Sequence, residues 1–243
     1  MSGGIDERSA LLTHLIELRR VFIVCGISVA VLFCVIFGFF IDYIMTCLTA
    51  PIQARGIEII YTAMSEALLT KFKVSVIASI IAASPVIIWQ IWSFIKPGLY
   101  PEEQKKCRWL FMIMLVLFLL GVSFCYMVVY SFAVDFFLVQ GTGFAAPLLS
   151  LDSYISFLLS FILPFGISFQ LPAALYLTTR VGWTNYSMLA SKRKYVLLAI
   201  FTIAAILTPP DVVSQVALGV PLYILYEVGI QVSRFAEKKT KGV

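Results

Sequence analysis

Three glutamates stand out as groups that could do chemistry, because each lies in a basic segment next to a long apolar stretch. Glu17 precedes the first apolar stretch, and Glu102 and Glu103 lie in the segment that leads into the third. These carboxylates are exceptions in otherwise basic segments, so a functional role is open at each position. Each also has a structural explanation. Glu17 could pair with Arg20 one helical turn later, and the other two could form the acidic first turn of a helix.

The sequence offers few other groups for catalysis or metal binding. His14 is the single histidine and precedes the apolar stretches, which excludes a histidine-based catalytic pair or metal site inside a membrane. No nucleophile-elbow, zinc-protease or phosphate-loop motif occurs. The cysteines lack the spacing of a metal site or a disulfide framework; they are Cys25, Cys34, Cys47, Cys107 and Cys125. We therefore expect no enzyme activity, no cofactor and no metal.

Composition and the placement of basic residues predict an integral membrane protein. Of the 243 residues, 61% are hydrophobic and 13% are charged, which is more apolar than a soluble domain. Fifteen of the 18 Lys and Arg residues fall within residues 1–20, 93–108, 179–194 and 233–243. Because Lys and Arg are retained on the cytoplasmic side, both chain ends and two loops are expected there. The net charge of +5 therefore reflects topology, and we expect no nucleic-acid partner.

We predict an all-α, polytopic fold with six transmembrane helices in one domain covering residues 1–243. The expected spans are 21–41, 68–92, 109–130, 154–178, 195–207 and 212–232. The expected periplasmic loops are 42–67, 135–153 and 208–211. The fifth span is too short to cross a bilayer, since its 13 residues make only about 20 Å of helix. The turn that follows it is therefore drawn into the membrane, or the bilayer thins there.

Polar side chains are rare within the predicted spans. Gln170 falls near the middle of the fourth span, while Thr208 and Gln215 flank the turn before the last. A buried amide or hydroxyl needs a partner, either on another helix of this chain or on a transmembrane residue of a second protein, and both alternatives are open. Glu227, near the inner end of the last span, is expected to reach Arg234 or lipid headgroups.

Five short motifs follow one another in order along the chain. They are HLIELRR at 14–20, SEA at 65–67, ASPVI at 83–87, FIKPGLY at 94–100 and TPPDV at 208–212. Together with the six predicted spans, they resemble the TatC family, the multi-spanning subunit of the twin-arginine protein translocase. The resemblance implies a core subunit and signal-peptide receptor in the bacterial cytoplasmic membrane, which exports folded proteins using the proton gradient.

The resemblance also implies a signal-peptide site. Glu17 and Glu103 are expected to hold the two arginines of the signal peptide, with Glu102 as the alternative to its neighbour. Phe94 and Arg19 are expected to shape the same site. The implied ligands are the twin-arginine signal peptides of folded cargo proteins.

Further implications concern the remaining polar positions and the assembly. The last two helices are expected to be short and to receive single-span TatA- and TatB-type subunits at a patch containing Thr208 and Gln215, within a multimeric complex in lipid. Pro51 and Asp211 match structural positions on the periplasmic side. Family members often carry a glutamate where this chain has Gln170, and since an amide cannot titrate, we do not expect a proton relay through it.

Two other functions compete with this one, a small secondary transporter or channel and a purely structural membrane scaffold. Intramembrane ionisable residues normally mark a transport pathway, and the apolar centres of the predicted spans contain none. A transporter should move solute unaided, whereas a translocase subunit should require its single-span partners. A scaffold differs only in having no affinity for signal peptides.

Overall fold

The computed structural model describes residues 3–61, 63–95, 107–141, 149–208 and 211–241, and within these ranges it describes only the backbone of 3–15, 94, 95, 107, 108, 137–141 and 238–241. The described chain is almost wholly helical. Five helical stretches are long and apolar enough to cross a membrane. The predicted all-α polytopic fold is confirmed.

The described residues form ten α-helices and two π-helical segments. The helices are α1 Gly3–Val35, α2 Ile41–Gln53, α3 Glu66–Ile95, α4 Cys107–Phe124, α5 Tyr130–Gly141, α6 Leu151–Ser168, α7 Leu171–Arg180, α8 Tyr186–Ser191, α9 Arg193–Leu207 and α10 Val212–Lys241. The π-helical segments, Ile36–Phe40 and Cys125–Val129, join α1 to α2 and α4 to α5. Two short strands, β1 Ile59–Ile60 and β2 Leu149–Ser150, pair in parallel.

The first apolar helical stretch extends further than the predicted span. Its apolar stretch runs over 38 residues, Ile16–Gln53, so α2 occupies the beginning of the region expected to be a loop. Ile41 and Ile52 on α2 are buried in the main hydrophobic core, and this burial stabilises the additional turns as helix. Pro51 lies within the last turn of α2.

The expectation of two short final helices holds for α9 alone. α9 has 15 residues and ends where Thr208 adopts an extended backbone with ψ of 157°, as the residue before a proline prefers. α10 instead has 30 residues, because the helix continues through the predicted tail to Lys241. Its apolar part covers Val212–Glu237, so the last helix is long, which corrects the prediction.

The crossings pack closely where small residues allow it. A side chain on Gly121 of α4 would place its Cβ 2.7 Å from the carbonyl oxygen of Phe165 on α6, so only glycine permits this approach. Phe165, Leu158 and Ile155 of α6 are fully buried at the centre of the main core. The fourth crossing thus forms the central helix of the fold, and α3 and α4 pack against it.

Candidate functional site

Glu17 and Arg19 lie on the surface of α1, where its apolar stretch begins. The long apolar run of α1 begins just after them, at Val21, and the side chains of both charged residues are exposed, as is that of Phe22 one turn later. A carboxylate at the edge of a membrane-crossing stretch lies where bulk water gives way to lipid, so its hydrogen bonds to a cation are stronger than in bulk water. The position suits recognition of an arginine side chain at the membrane surface.

The helix that supports this surface is α3, which runs antiparallel to α1. Phe33 near the end of α1 contacts Phe72 near the start of α3, with ring centroids 5.0 Å apart. Counting 16 residues back from Phe33 and 16 forward from Phe72 brings Glu17 level with Ile88. Since a helix rises about 1.5 Å per residue, Glu17 lies about 10 Å along the axis from the end of α3 at Ile95.

The other residues predicted for the signal-peptide site lie outside the described part of the chain. The side chain of Phe94 belongs to this group, and so do Glu102 and Glu103. The structure therefore gives the surroundings of Glu17 and Arg19, while the proximity of these two residues to Glu103 stays a prediction.

Gln170 interrupts the fourth crossing and connects it to α4. It lies between α6 and α7, just before Pro172, which has no N–H to continue the helical hydrogen bonds. The Gln170 Nε2 donates to the carbonyl oxygen of Met114 at 2.9 Å. Its Oε1 is buried and accepts no hydrogen bond from the described residues. The amide thus joins two helices of this chain and keeps one buried acceptor without a hydrogen bond from the described residues.

The turn between α9 and α10 contains Thr208 and Asp211. Thr208 is buried, and its Oγ1 donates to the carbonyl oxygen of Ala204 at 2.9 Å. Asp211 caps α10, since its Oδ1 accepts from the backbone N–H of Ser214 at 2.7 Å. The Asp211 Oδ2 and the Ser214 Oγ are buried and make no hydrogen bond within the described chain. Asp211 therefore caps the start of the last helix, while its predicted structural role on the periplasmic side stays a prediction.

Gln215 lies one turn further along α10 and faces α9. Its Nε2 donates to the carbonyl oxygen of Phe201 at 3.0 Å, so it fastens the last two helices together. Around it, apolar side chains of both helices are exposed, among them Ile206, Val212 and Val216. The structure thus brings Gln215 and Thr208 to the same turn, where Gln215 is half-buried and Thr208 is covered.

Sequence reasoning missed a buried carboxylate in the cap, which we define as residues 41–60, 66–73 and 149–154. Glu66 is only 7% exposed. Its Oε1 accepts from the Oγ of Ser150 at 2.6 Å and from the N–H of Asp152 at 2.9 Å, and its Oε2 accepts from the N–H of Ala63 at 3.3 Å. Glu66 therefore connects the start of α3 to β2 and the start of α6.

Ion pairs complete the cap. Asp152 accepts from Lys73 at 2.6 Å and from Thr70 at 3.1 Å, and Lys71 pairs with Asp42 at 2.6 Å. The sequence contained a signal for these pairs. Lys71 and Lys73 lie at the start of the second predicted span, and Asp42 and Asp152 lie in loops expected on the same side of the membrane. That signal indicated opposite charges on one side of the membrane without giving their pairing.

Pro51 and Arg55 end α2 within the cap. The Arg55 Nη1 donates to the carbonyl oxygen of Pro51 at 3.0 Å, and its Nε donates to Asp135 at 2.8 Å. Beside them the hydroxyl of Tyr154 donates to the carbonyl oxygen of Leu48 at 2.6 Å. The bond from Arg55 supplies a partner for the Pro51 carbonyl, which lies in the last turn of α2 where the carbonyls lack a helical partner.

Glu227 binds a different cation from the one expected. Instead of Arg234, it accepts two hydrogen bonds from Arg193, at 3.0 and 2.5 Å. This hydrogen-bonded ion pair raises the pKa of the Arg193 guanidinium. The pairing follows from the short connection between α9 and α10, which returns the chain alongside itself so that the first residue of α9 reaches the later half of α10.

Within the described residues, no three His, Cys, Asp or Glu side chains form a group that could hold a metal ion. The groups assembled there are carboxylates, amides and hydroxyls that bind cations or fasten helices.

Comparison with known proteins gives one consistent family. A family model described as Sec-independent protein translocase protein (TatC) matches residues 13–221. The chain is 37% identical over 235 residues to the protein of that name from Carboxydothermus hydrogenoformans, covering 96% of both chains. It is 35% identical over 236 residues to the protein from Escherichia coli K12, covering 96% of this chain and 91% of the relative. It also resembles a crystal structure described as the twin arginine translocase receptor TatC, with a TM-score of 0.84, 38% identity and coverage of 92% of this chain and 99% of that one.

Proposed function

The chain belongs to the TatC family of Sec-independent protein translocase proteins, as its motifs indicated, and we propose that it is the core subunit and signal-peptide receptor of a twin-arginine translocase in a bacterial inner membrane. The complex exports folded proteins, driven by the proton gradient. The observation that carries this proposal is the similarity to the twin arginine translocase receptor over 92% of the chain at 38% identity. The protein is a transport protein, and the proposal assigns it no catalytic step.

The proposed topology follows the positive-inside rule. Residues 1–20, 93–108, 179–194 and 233–243 face the cytoplasm, because they contain most of the basic residues. Residues 42–67, 135–153 and 208–211 face the periplasm, so the cap lies on the periplasmic side. The whole chain, residues 1–243, forms one transmembrane domain, in which the cytoplasmic tail continues α10 as a helix to Lys241.

The proposed receptor site is cytoplasmic, with Glu17 and Glu103 as the carboxylates that bind the signal arginines. Eight residues separate Ile95 from Glu103, and at no more than about 3.6 Å each they reach up to about 29 Å. Glu17 lies about 10 Å along the axis from Ile95, on a helix about 8–10 Å away. The chain is therefore long enough for the two carboxylates to meet around one peptide, and the same holds for Glu102. Phe94 and Arg19 are proposed to shape the same site.

Arginine selectivity follows from the geometry of the guanidinium. A freely exposed Arg–Glu pair contributes only about 0–1 kcal/mol, which would not distinguish arginine from lysine. A bidentate pair at a partly dehydrated surface contributes about 1.5–3 kcal/mol. Lysine presents a point charge that cannot make the second parallel bond, so replacing either signal arginine removes part of this energy.

The proposed partners are single-span TatA- and TatB-type subunits in a multimeric complex. The exposed apolar side chains of α9 and α10 around Gln215 support a docking surface for a single helix. Gln215 is half-buried and already donates to α9, so it can offer its remaining polar atoms to a partner without breaking that bond. Thr208 is covered, and its role there is to hold the turn.

The test is peptide binding to the purified full chain. We expect a twin-arginine signal peptide to bind at least about tenfold more tightly than its twin-lysine counterpart, since tenfold corresponds to about 1.4 kcal/mol. Glu17→Gln and Glu103→Gln should each remove most of this difference, and Glu102→Gln identifies which neighbour takes part. Glu58→Gln is the matched control, because Glu58 is exposed on the opposite side of the membrane.

Equal affinities for the two peptides would refute the receptor assignment. A preference for arginine that survives both Glu17→Gln and Glu103→Gln would leave the receptor function standing and overturn the choice of residues.

A further inference from the structure

Pro51 removes a hydrogen-bond donor from the end of α2. The helix spans Ile41–Gln53 and contains Pro51 in its interior. In an α-helix each carbonyl accepts from the N–H four residues later, and because proline has no N–H, the Cys47 carbonyl lacks that donor. Both residues lie in the apolar stretch Ile16–Gln53, where an unpartnered backbone carbonyl is unfavourable. The Cys47 carbonyl therefore needs a donor from outside α2.

The hydroxyl of Tyr126 is such a donor. It donates to the carbonyl oxygen of Cys47 at 2.9 Å. Tyr126 belongs to the π-helical segment Cys125–Val129, which joins α4 to α5, and its side chain is half-buried. Single π-helical turns within α-helices are rare and occur frequently at functional sites. Here the π-helical turn carries the side chain that reaches the carbonyl left open by Pro51.

Two further tyrosines lie beside Tyr126. The Tyr126 and Tyr130 rings are stacked, 3° from parallel with centroids 6.0 Å apart. The buried Tyr130 hydroxyl donates to the hydroxyl of Tyr154, which donates to the carbonyl oxygen of Leu48 at 2.6 Å. The residue four positions after Leu48 is Ile52, which has a backbone N–H. Of the two tyrosine bonds to α2, that of Tyr126 is thus the one that replaces a donor missing from the helix.

We infer that the Tyr126 hydroxyl takes the place of the backbone donor that Pro51 lacks, and that this bond is a latch on the end of α2. When the latch is released, the Cys47 carbonyl regains a partner only if α2 opens at Pro51 and admits water. The chain beyond Pro51 turns at Gly56, with φ of 75°, so this opening frees the connection to β1 while Ile41 stays packed in the main core. The inference does not depend on the proposed function, because it concerns contacts within this chain.

Hydrogen exchange of the purified full chain, followed by mass spectrometry, tests the inference as a double-mutant cycle. Tyr126→Phe removes only the hydroxyl, and we expect the amides of residues 52–57 to exchange about tenfold faster, which corresponds to about 1.4 kcal/mol. The amides of residues 155–165, in the central helix, should keep their rates, because they open only with the whole fold. Pro51→Ala restores an N–H that can donate to Cys47, so in that background Tyr126→Phe should have almost no effect.

The variants are chosen to fold and to separate a local from a global effect. Alanine has the highest helix propensity, so Pro51→Ala should fold. Tyr43→Phe is the matched control, since Tyr43 lies on α2 and is 72% exposed, and it should leave all rates unchanged. The effect of Tyr154→Phe should be the same with and without Pro51→Ala, because the N–H of Ile52 is present in both.

Three results would overturn the inference. The first is unchanged exchange at residues 52–57 after Tyr126→Phe. The second is equal acceleration by Tyr126→Phe in the presence and absence of Pro51→Ala, which would mean that the hydroxyl does not replace the missing donor. The third is equal acceleration at residues 52–57 and 155–165, because the loss is then global and the bond is no latch.

Discussion

Replacement of Glu66 should loosen the cap more than any change to an exposed acidic residue nearby. Glu66 is buried and accepts from the Oγ of Ser150, the N–H of Asp152 and the N–H of Ala63, at 2.6, 2.9 and 3.3 Å. Glu66→Ala removes the acceptor for all three donors. Because two of the donors are backbone N–H groups near the starts of α3 and α6, their hydrogen bonds are not easily replaced.

The size of the effect follows from these contacts. A hydrogen bond to a charged group contributes about 1.5–3 kcal/mol, but the bonds are not additive and donors near the surface regain water. We therefore expect Glu66→Ala to lower the free energy of unfolding by about 3–4 kcal/mol. Glu66→Gln keeps one acceptor oxygen for Ser150 and Asp152 but turns an NH₂ group toward the N–H of Ala63, so we expect about half that loss.

The measurement is thermal unfolding of the purified chain in detergent. For a chain of this size 1 kcal/mol corresponds to about 2–4 °C, so Glu66→Ala should lower the Tm by about 10 °C and Glu66→Gln by about 5 °C. Glu58→Ala is the control, because Glu58 is an exposed acidic residue of the same cap. Equal shifts for Glu58→Ala and Glu66→Ala would refute the assignment of Glu66 as the residue that holds the cap together.

Two other predictions follow from helix packing and from the function. Gly121→Ala should lower the free energy of unfolding by about 1–3 kcal/mol, because the new Cβ would lie 2.7 Å from the Phe165 carbonyl oxygen. Gly26→Ala is the control and should have no such effect, because no atom lies within 4 Å of its Cβ position. Equal Tm values for the two variants would contradict the prediction. Liposomes containing the chain alone should show no more solute flux than empty liposomes, since the proposed translocase subunit is expected to work only with single-span partners. Solute flux above that of empty liposomes would favour the alternative hypothesis that the chain is a transporter or channel.

The crossings could be predicted from the sequence because long apolar runs and the distribution of basic residues are local properties. The short α9 was recognisable for the same reason, since the prolines after Thr208 limit its length. The extension of the first helical stretch into α2 could not be predicted from the sequence, because it depends on the packing of Ile41 and Ile52 into the main core. The long α10 was missed because a charged sequence ends an apolar run without ending a helix.

The cap could not be predicted in detail, although all of its charged residues were visible. Glu66 and Ser150 lie 84 residues apart, and the register that brings them together is set by the packing of α3 against α6. Gln170 shows the same limit, since the sequence required a partner for its amide without identifying the carbonyl of Met114. Charge and burial patterns predict which groups need partners, and only tertiary packing decides which partners they find.

The polar contacts are distributed unevenly, and this bears on how a receptor could work. The cap is held by Glu66 and by ion pairs such as that of Lys73 with Asp152, and the start of α9 is joined to α10 by the ion pair of Arg193 with Glu227. α1, in contrast, packs mainly against α3 and leaves apolar side chains such as Phe22 exposed. For the proposed signal-peptide site on α1, this means that binding does not require the cap contacts or the Arg193–Glu227 ion pair to break. Binding energy at the proposed site can then go into discriminating arginine from lysine.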